Sequence, residues 1–150
     1  MTTLKNAIHI DASPERVWAA LARLDALQQY DPGITKVEVQ SPHAEGLGAS
    51  RHCDLRSGDW FRERVTVWEP FRELEFELHD CTLPVRRLRH HYTLTRDGAG
   101  TRVEQRQEYR LKYGPVGMLL DVLIVRRKWD AGIKRFFAGL KSYAERAPAT

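Results

Sequence analysis

A seven-stranded, curved antiparallel sheet wrapped around one long C-terminal helix, an α+β fold, is predicted by two patterns in the sequence. Apolar residues recur at spacings of three and four over residues 115–144, the period of a helix with one buried face. The chain before that point alternates apolar and polar residues and contains no second helical pattern of comparable length. A lone amphipathic helix has to cover an apolar surface, and the concave side of the sheet is the only one large enough. We therefore expect any space left between helix and sheet to be the functional site.

The first part of the chain predicts one strand and two short helices. Residues 5–12 alternate as a strand, and Ser13-Pro14-Glu15 then opens a helix. Ser13 provides a capping hydroxyl, Pro14 stands where no N–H is needed, and Glu15 places an acid near the positive end of the helix. A second short helix is expected over residues 25–30. Asp31-Pro32-Gly33 ends it, because a residue before proline is driven out of the helical region.

Six more strands follow, separated by turns rich in glycine, proline and aspartate. Their alternation is clearest at Leu74, Phe76 and Leu78, which lie between glutamates as in a strand with one buried face. The last two strands form a long hairpin across Asp97-Gly98-Ala99-Gly100. The six strands are expected near residues 37–39, 49–55, 60–68, 73–78, 88–95 and 102–111.

Length and composition argue against several classes of protein. Without repeat or linker, residues 1–146 are expected to form a single domain, followed by a disordered tail at 147–150. The 24 basic and 20 acidic residues are intermixed, unlike those of a nucleic-acid-binding surface. Two cysteines and six histidines lack metal-site spacing. No apolar leader and no run of membrane-spanning length occurs. We therefore expect a soluble, cytoplasmic protein that binds no nucleic acid, no metal and no cofactor.

Local sequences around the predicted elements resemble a known family. The segments are residues 10–18 (IDASPERVW), 63–70 (ERVTVWEP) and 109–115 (YRLKYGP). They are similar to segments of the START-like SRPBCC superfamily, which includes polyketide cyclase/dehydrase and coenzyme Q-binding proteins. The resemblance covers essentially the whole chain and implies the helix-grip fold. It implies no single activity, because members include lipid carriers, hormone binders, quinone-binding proteins and aromatase/cyclases.

Strand alternation predicts which polar side chains enter the space beneath the helix. The apolar residues of each strand define its inner face, and polar residues of the same parity share it. On the fourth strand, Phe61, Val65 and Val67 imply that Glu63 faces inward. The predicted cavity residues are Glu63, Phe76, His90, Tyr92, Gln105, Gln107, Tyr109, Leu119, Leu123, Arg126, Trp129 and Ile133. Unpaired polar groups in a dry core would cost about 1–3 kcal/mol each, so this set favours a cavity with water or a ligand.

Each polar member of the set also has a structural interpretation. Tyr92 and Tyr109 fit core tyrosines whose hydroxyls reach a polar partner. Glu63 and Arg126 are placed to neutralise one another across the cavity, or Arg126 to pair with Asp130 four residues on. The two glutamines fit a region where the sheet edge becomes wet.

Three functions remain open from the sequence. The first is binding of a small hydrophobic or aromatic molecule, such as a lipid, a quinone or a polyketide. The second is a polyketide cyclase or dehydratase, with His90 or Glu63 as general base and a tyrosine or Arg126 stabilising an enolate. The third comes from residues 118–125, which are apolar nearly all round the helix. We expect the cavity to open beside them, and they fit a gate, a homodimer contact or a transient membrane contact.

Overall fold

Seven antiparallel strands form one curved sheet in the computed structural model, which describes residues 1–146. The strands are β1 (Thr2–Ile10), β2 (Ile34–Val39), β3 (Ser50–Leu55), β4 (Trp60–Glu69), β5 (Glu73–Cys81), β6 (Val85–Asp97) and β7 (Gly100–Leu111). Their order across the sheet is β1-β7-β6-β5-β4-β3-β2, so only the connection from β1 to β2 crosses the sheet. The predicted fold is confirmed. The expected tail at 147–150 lies outside the described residues.

Helices occupy the β1–β2 connection and the C-terminal part of the chain. Between β1 and β2 lie α1 (Pro14–Ala22), a 3-10 turn (Leu24–Ala26) and α2 (Leu27–Tyr30). After β7 come α3 (Gly114–Leu120), a π-helical turn (Asp121–Val125) and α4 (Arg126–Arg146). The predicted cap of α1 is confirmed, since Ser13 Oγ accepts a 3.3 Å hydrogen bond from the backbone N–H of Arg16. None of the helices within residues 1–146 is long and apolar enough to cross a membrane.

The inner face of α4 fills much of the space over the sheet. Its buried side chains are Ile133, Phe136, Phe137, Leu140 and Ala144. They belong to one apolar cluster with the inner residues of the sheet, including Leu74 and Val103. At the far end of the sheet, Trp18 of α1 meets Trp68 of β4 edge to face, with ring centroids 5.0 Å apart. The helix therefore packs against the concave face of the sheet, as predicted.

Strand β4 departs from simple alternation. The prediction that Val65 and Val67 share the inner face of β4 is wrong. The pairing of β4 with β5 shifts register between these residues, so that Val67 lies opposite Glu75. A bulge adds one residue to a strand and reverses the faces beyond it. Trp68 therefore takes the inner position, whereas Glu63 lies before the shift and remains buried.

The C-terminal helix is interrupted where the sequence predicts continuity. The buried carboxylate of Asp121 accepts hydrogen bonds from Thr2 Oγ1, Tyr109 Oη and Arg126 Nε. A π-helical turn brings residues five apart into line, which sets Arg126 over Asp121. It also adds one residue to the helix, which rotates the stripes before and after it by about 100° relative to one another. Leu119 consequently leaves the predicted buried stripe and is 60% exposed.

Substituting two glycines of α4 tests how closely this helix is held. A methyl group at Gly139 would lie 1.9 Å from the carbonyl oxygen of Tyr30, so α4 and α2 would have to separate. At Gly132 the nearest atom is a terminal nitrogen of Arg135, 3.9 Å away. We expect Gly139→Ala to lower the free energy of unfolding by about 1–3 kcal/mol. Gly132→Ala is the control and should raise it by about 0.5–1 kcal/mol, because alanine favours the helix. Urea denaturation measures both, and equal stability of the two variants would contradict the close contact.

Candidate functional site

A cavity of about 380 Å³ lies between the inner face of the sheet and the first half of α4. Its apolar wall residues are Leu27, Ile34, Leu55, Phe61, Leu78, Leu83, Leu88, Trp129, Ile133 and Phe136. A larger depression of about 620 Å³ on the outer face of the sheet is lined mainly by charged and polar side chains, including Lys5, Glu104 and Arg106. Binding sites for small organic molecules are mostly apolar with a few polar groups, so the inner cavity is the candidate site.

Most of the predicted site residues meet in this cavity. Those that line it are Glu63, His90, Tyr92, Gln105, Gln107, Trp129 and Ile133. His90 lies directly across the β6–β7 pair from Gln107, and Tyr92 from Gln105. Two cross-strand pairs on adjacent strands thus present four polar side chains to one side of the cavity.

A buried ion pair lies beneath the polar side of the cavity. Arg51 of β3 faces Glu63 of β4 across the antiparallel pair. Its Nη2 and Nε atoms lie 2.7 Å and 2.9 Å from Glu63 Oε1. Nη1 donates a 2.9 Å hydrogen bond to the carbonyl of Leu24, and the guanidinium carbon lies 4.5 Å from the ring centroid of Phe76. Both charges are removed from water and held by fixed partners.

The ion pair keeps Glu63 in its carboxylate form. Burial by itself would raise the pKa of Glu63, but the Arg51 charge and the hydrogen bond from His90 outweigh burial and hold this pKa well below its usual range. For Arg51 burial likewise opposes ionisation, and the charge of Glu63 raises the pKa of Arg51 despite it. A carboxylate with a pKa this low is a weak general base at neutral pH.

His90 is fixed between the side chains of Glu63 and Gln107. Its Nε2 lies 3.0 Å from Glu63 Oε2, and its Nδ1 lies 3.3 Å from Gln107 Oε1. An ionised carboxylate only accepts hydrogen bonds, so Nε2 carries a hydrogen. In the neutral ring Nδ1 then accepts a hydrogen bond, which the NH₂ group of Gln107 donates once that amide is turned over. Both ring nitrogens are therefore occupied by protein groups, and the ring can offer the cavity its face and edge but no free lone pair.

Gln105 has an unsatisfied oxygen. Its Nε2 donates a 3.1 Å hydrogen bond to Tyr92 Oη, whereas its Oε1 is buried and has no hydrogen-bond partner among residues 1–146. Burial raises the pKa of Tyr92, so this hydroxyl keeps its hydrogen at neutral pH. Leaving a buried acceptor unpaired costs about 1–3 kcal/mol. A donor that reached this oxygen would remove that cost.

The cavity opens to solvent between α4, the α2–β2 loop and the β3–β4 turn. The exposed residues along this opening are Arg56, Ser57, Lys128 and Arg135. Asp31 lies beside them, and burial raises the pKa of its carboxyl group. The prediction that the cavity opens beside residues 118–125 is wrong. The opening lies further along the chain, beside the first turns of α4.

Five predicted residues do not line the cavity: Phe76, Tyr109, Leu119, Leu123 and Arg126. Phe76 is covered by the Arg51 guanidinium. Tyr109 and Arg126 both bind Asp121, Arg126 Nε at 2.9 Å. Leu119 and Leu123 are 60% and 59% exposed because the π-helical turn rotates them away. The pairings of Arg126 with Glu63 or with Asp130 do not form, since Asp130 binds Asn6 and Lys134 instead.

Two residues that organise the site were not singled out from the sequence. Arg51 and Cys53 of β3 alternate with Ala49, which comes directly before the strand, and all three are buried. The same alternation rule would have placed Arg51 inside. Asp121 had no comparable signal, because its burial depends on partners in β1 and β7. Within residues 1–146, no group of three or more His, Cys, Asp or Glu side chains is arranged to hold a metal ion.

Comparison with known proteins identifies the family of the chain. The model of the polyketide cyclase / dehydrase and lipid transport family matches residues 1–145. The chain belongs to this family. An uncharacterized protein of Mycobacterium tuberculosis is 28% identical over 142 residues, which are 94% of this chain and 83% of that protein.

Solved structures show the same fold. A protein of Thermus thermophilus superposes with a TM-score of 0.82 at 22% identity, covering 99% of this chain and 100% of the other. A START superfamily protein of Mycobacterium smegmatis superposes with a TM-score of 0.79 at 13% identity, covering 96% of this chain and 97% of the other. The polyketide cyclase / dehydrase and lipid transport family therefore accounts for the fold, and the chemistry has to be inferred from the cavity itself.

Removing the two partners of the buried ion pair singly and together tests their coupling. We expect Arg51→Met and Glu63→Leu each to lower the free energy of unfolding by about 3–5 kcal/mol, because each leaves a buried charge unpaired. The double variant should lose less than either single variant. The exposed pair Arg102 and Glu104, with 2.8 Å between Nε and Oε1, provides the control, and its substitutions should change stability by under about 1 kcal/mol. Urea denaturation gives the values, and additive losses at positions 51 and 63 would refute the coupling.

Stability at acid pH should depend on the same pair. The folded-state pKa of Glu63 lies below its ordinary value of 4.5, so its contribution is fully present above that pH and is lost as the pH falls below it. The free energy of unfolding should therefore fall more steeply below pH 4.5 in the natural protein than in the Arg51→Met/Glu63→Leu double variant. Urea denaturation from neutral pH to about pH 3 measures the difference. Parallel curves would mean that Glu63 has an ordinary pKa in the folded protein.

Proposed function

We propose that this protein binds a small, largely apolar or aromatic molecule that carries at least one hydroxyl group. The observation on which this depends is the buried, unpaired Oε1 of Gln105 beside an apolar cavity. An unpaired buried acceptor is rare in folded proteins, because it lowers the free energy of unfolding. A ligand that donates a hydrogen bond at this point accounts for it.

A hydroxyl group suits the Gln105–Tyr92 pair in either orientation of the amide. As oriented, Gln105 Oε1 lacks a donor, and the hydrogen of Tyr92 Oη has no acceptor within residues 1–146. Turning the amide over would let Tyr92 donate to Oε1 and leave the Gln105 NH₂ group unpaired. A hydroxyl both donates and accepts, so it satisfies whichever group remains.

Size and lining support a compact ligand with one polar end. The cavity volume of about 380 Å³ is near the lower limit for sites of small organic molecules. Apolar side chains from the sheet and from α4 surround the space, and the polar groups lie on β6 and β7. Lipids, quinols and polyketide-like aromatic molecules likewise combine a large apolar part with a polar group. The chain also belongs to a family whose description includes lipid transport.

The cyclase or dehydratase alternative is less well supported by the geometry. Glu63 is held ionised by Arg51 with a lowered pKa, so it accepts a proton weakly. Both nitrogens of His90 are occupied, and Arg126 lies outside the cavity, bound to Asp121. Tyr92 remains as a hydrogen-bond donor to a carbonyl oxygen. The cavity carboxyl group whose pKa is raised, Asp31, comes from the α2–β2 loop, where it accepts a 2.9 Å hydrogen bond from the backbone N–H of Gly33, and not from the polar pairs of β6 and β7. We therefore favour binding over catalysis.

Naphthol and methoxynaphthalene are matched probes for this proposal. The two share an apolar ring system, and only naphthol donates a hydrogen bond. We expect the natural protein to bind naphthol more tightly, and Gln105→Leu to weaken naphthol binding by about 1–3 kcal/mol while changing methoxynaphthalene binding far less. Fluorescence titration or calorimetry measures both affinities. Native mass spectrometry of freshly purified protein, followed by extraction, would identify a natural ligand directly.

Gln29→Leu is the control for the loss of a glutamine. Gln29 is exposed on α2 and does not line the cavity, so this variant should bind both probes as the natural protein does. Circular dichroism would establish that both variants are folded. Equal affinities of naphthol and methoxynaphthalene, unchanged by Gln105→Leu, would contradict the proposed hydrogen bond. If neither probe bound, the result would argue against an apolar ligand of this size.

A further inference from the structure

An unusual apolar surface lies outside the cavity, on α3 and the π-helical turn. We name it the apolar collar, and its side chains are 41% to 72% exposed. Its members are Val116, Met118, Leu119, Leu120, Val122, Leu123 and Ile124. Scattered apolar residues are normal on a protein surface, but seven of them within nine consecutive positions form a patch that normally has a partner.

The segment that carries the collar is anchored to the rest of the protein along one face. Gly117, Asp121 and Val125, four residues apart, form the one face of this segment that meets the protein. Gly117 approaches the connection after β7 so closely that a methyl group there would lie 2.1 Å from the carbonyl oxygen of Lys112. Asp121 binds side chains of β1 and β7. The anchored face therefore turns the rest of the segment outward.

Basic residues flank the collar in the chain. Arg110 and Lys112 precede it in the chain, Arg127 and Lys128 follow it, and Arg87 pairs with Arg110 across the β6–β7 hairpin. We name these five residues the basic rim. All five are exposed, and none forms an ion pair with another side chain within residues 1–146. The only acid between residues 110 and 128 is Asp121, which is buried and paired with Arg126.

We propose that the collar inserts into the surface of an anionic lipid membrane, with the basic rim at the level of the headgroups. An exposed apolar helix face bordered by lysine and arginine has the composition of segments that lie in the membrane interface. Each rim charge is attracted to anionic lipid within a Debye length of the surface. Tyr113, 65% exposed at the edge of the collar, suits the interface, where amphipathic aromatic rings are enriched.

Charge argues against a second copy of the chain as the partner. A two-fold symmetric dimer brings the same patch of both subunits together. Two collars in contact would bring two basic rims close to each other, with no exposed acid of this segment to compensate them. Like charges facing across an interface oppose association. An anionic lipid surface supplies the missing opposite charge.

Flotation with lipid vesicles tests the proposal on the intact protein. We expect binding to vesicles of phosphatidylcholine mixed with phosphatidylglycerol and little binding to phosphatidylcholine alone, with affinity falling as salt rises. Leu119→Asp/Leu123→Asp should weaken binding at least tenfold, because two leucines that become buried in the lipid on binding are lost. Arg127→Gln should weaken it about fivefold, the effect of one rim charge. Leu47→Asp and Arg64→Gln are matched controls at exposed positions away from the collar and should bind as the natural protein does.

Each result bears on the collar independently of the ligand proposal. The Leu119→Asp/Leu123→Asp variant should still bind naphthol, since neither leucine lines the cavity. Failure of the natural protein to float with either vesicle would overturn membrane insertion. So would anionic binding that survives the leucine substitutions, because it would be purely electrostatic. A dimer in native mass spectrometry that the leucine substitutions abolish would assign the collar to self-association instead.

Discussion

The buried carboxylate of Asp121 decides how the C-terminal helix meets the sheet. It accepts hydrogen bonds from β1, β7 and the start of α4, three elements that the chain brings together only in the folded state. Pairing with Arg126 five residues on requires a π-helical turn rather than an α-helical one. The added residue turns the preceding segment outward and leaves Trp129 and Ile133 over the cavity. The cavity and the apolar collar are thus two consequences of one buried carboxylate.

The second buried carboxylate, Glu63, has a different role. Its pairing with Arg51 spans adjacent strands, and through His90 it reaches Gln107 on β7. A buried ion pair contributes little net stability, because desolvation of both charges offsets their attraction. It does fix geometry, since the Arg51 guanidinium, the Glu63 carboxylate and the His90 ring are each held by specific partners. The polar side of the cavity is therefore a rigid, preorganised surface, and rigidity of this kind lowers the cost of ordering side chains when a ligand binds.

Alternation along the strands was enough to predict the polar side of the cavity. His90, Tyr92, Gln105 and Gln107 lie inside because β6 and β7 pair without a bulge between them over this stretch, so the period of two holds. It failed at Val67, where a register shift in β4 reverses the faces. No residue type near Val67 signals that shift, since a bulge arises from how two strands fit together.

The helical period failed for a related reason. Leu119, Leu123 and Trp129 fit one stripe only if every turn has the same number of residues, and the π-helical turn breaks that condition. The turn is stabilised by Thr2 and Tyr109, which lie far from Asp121 in the sequence. Local pattern therefore predicts the fold and most of the cavity, whereas the placement of Arg126 and of the collar depends on tertiary hydrogen bonds that no local pattern contains.

The cavity and the collar meet at the start of α4. Lys128 belongs to the basic rim and also lines the opening of the cavity, so a molecule seated on lipid by its collar would hold that opening near the headgroups. The two surfaces are separated inside the protein by the rings of Tyr109 and Trp129, which pack at 59° to one another with centroids 4.7 Å apart. A ligand passing between lipid and cavity would therefore have to go around Trp129, which is half-buried and forms part of the cavity wall.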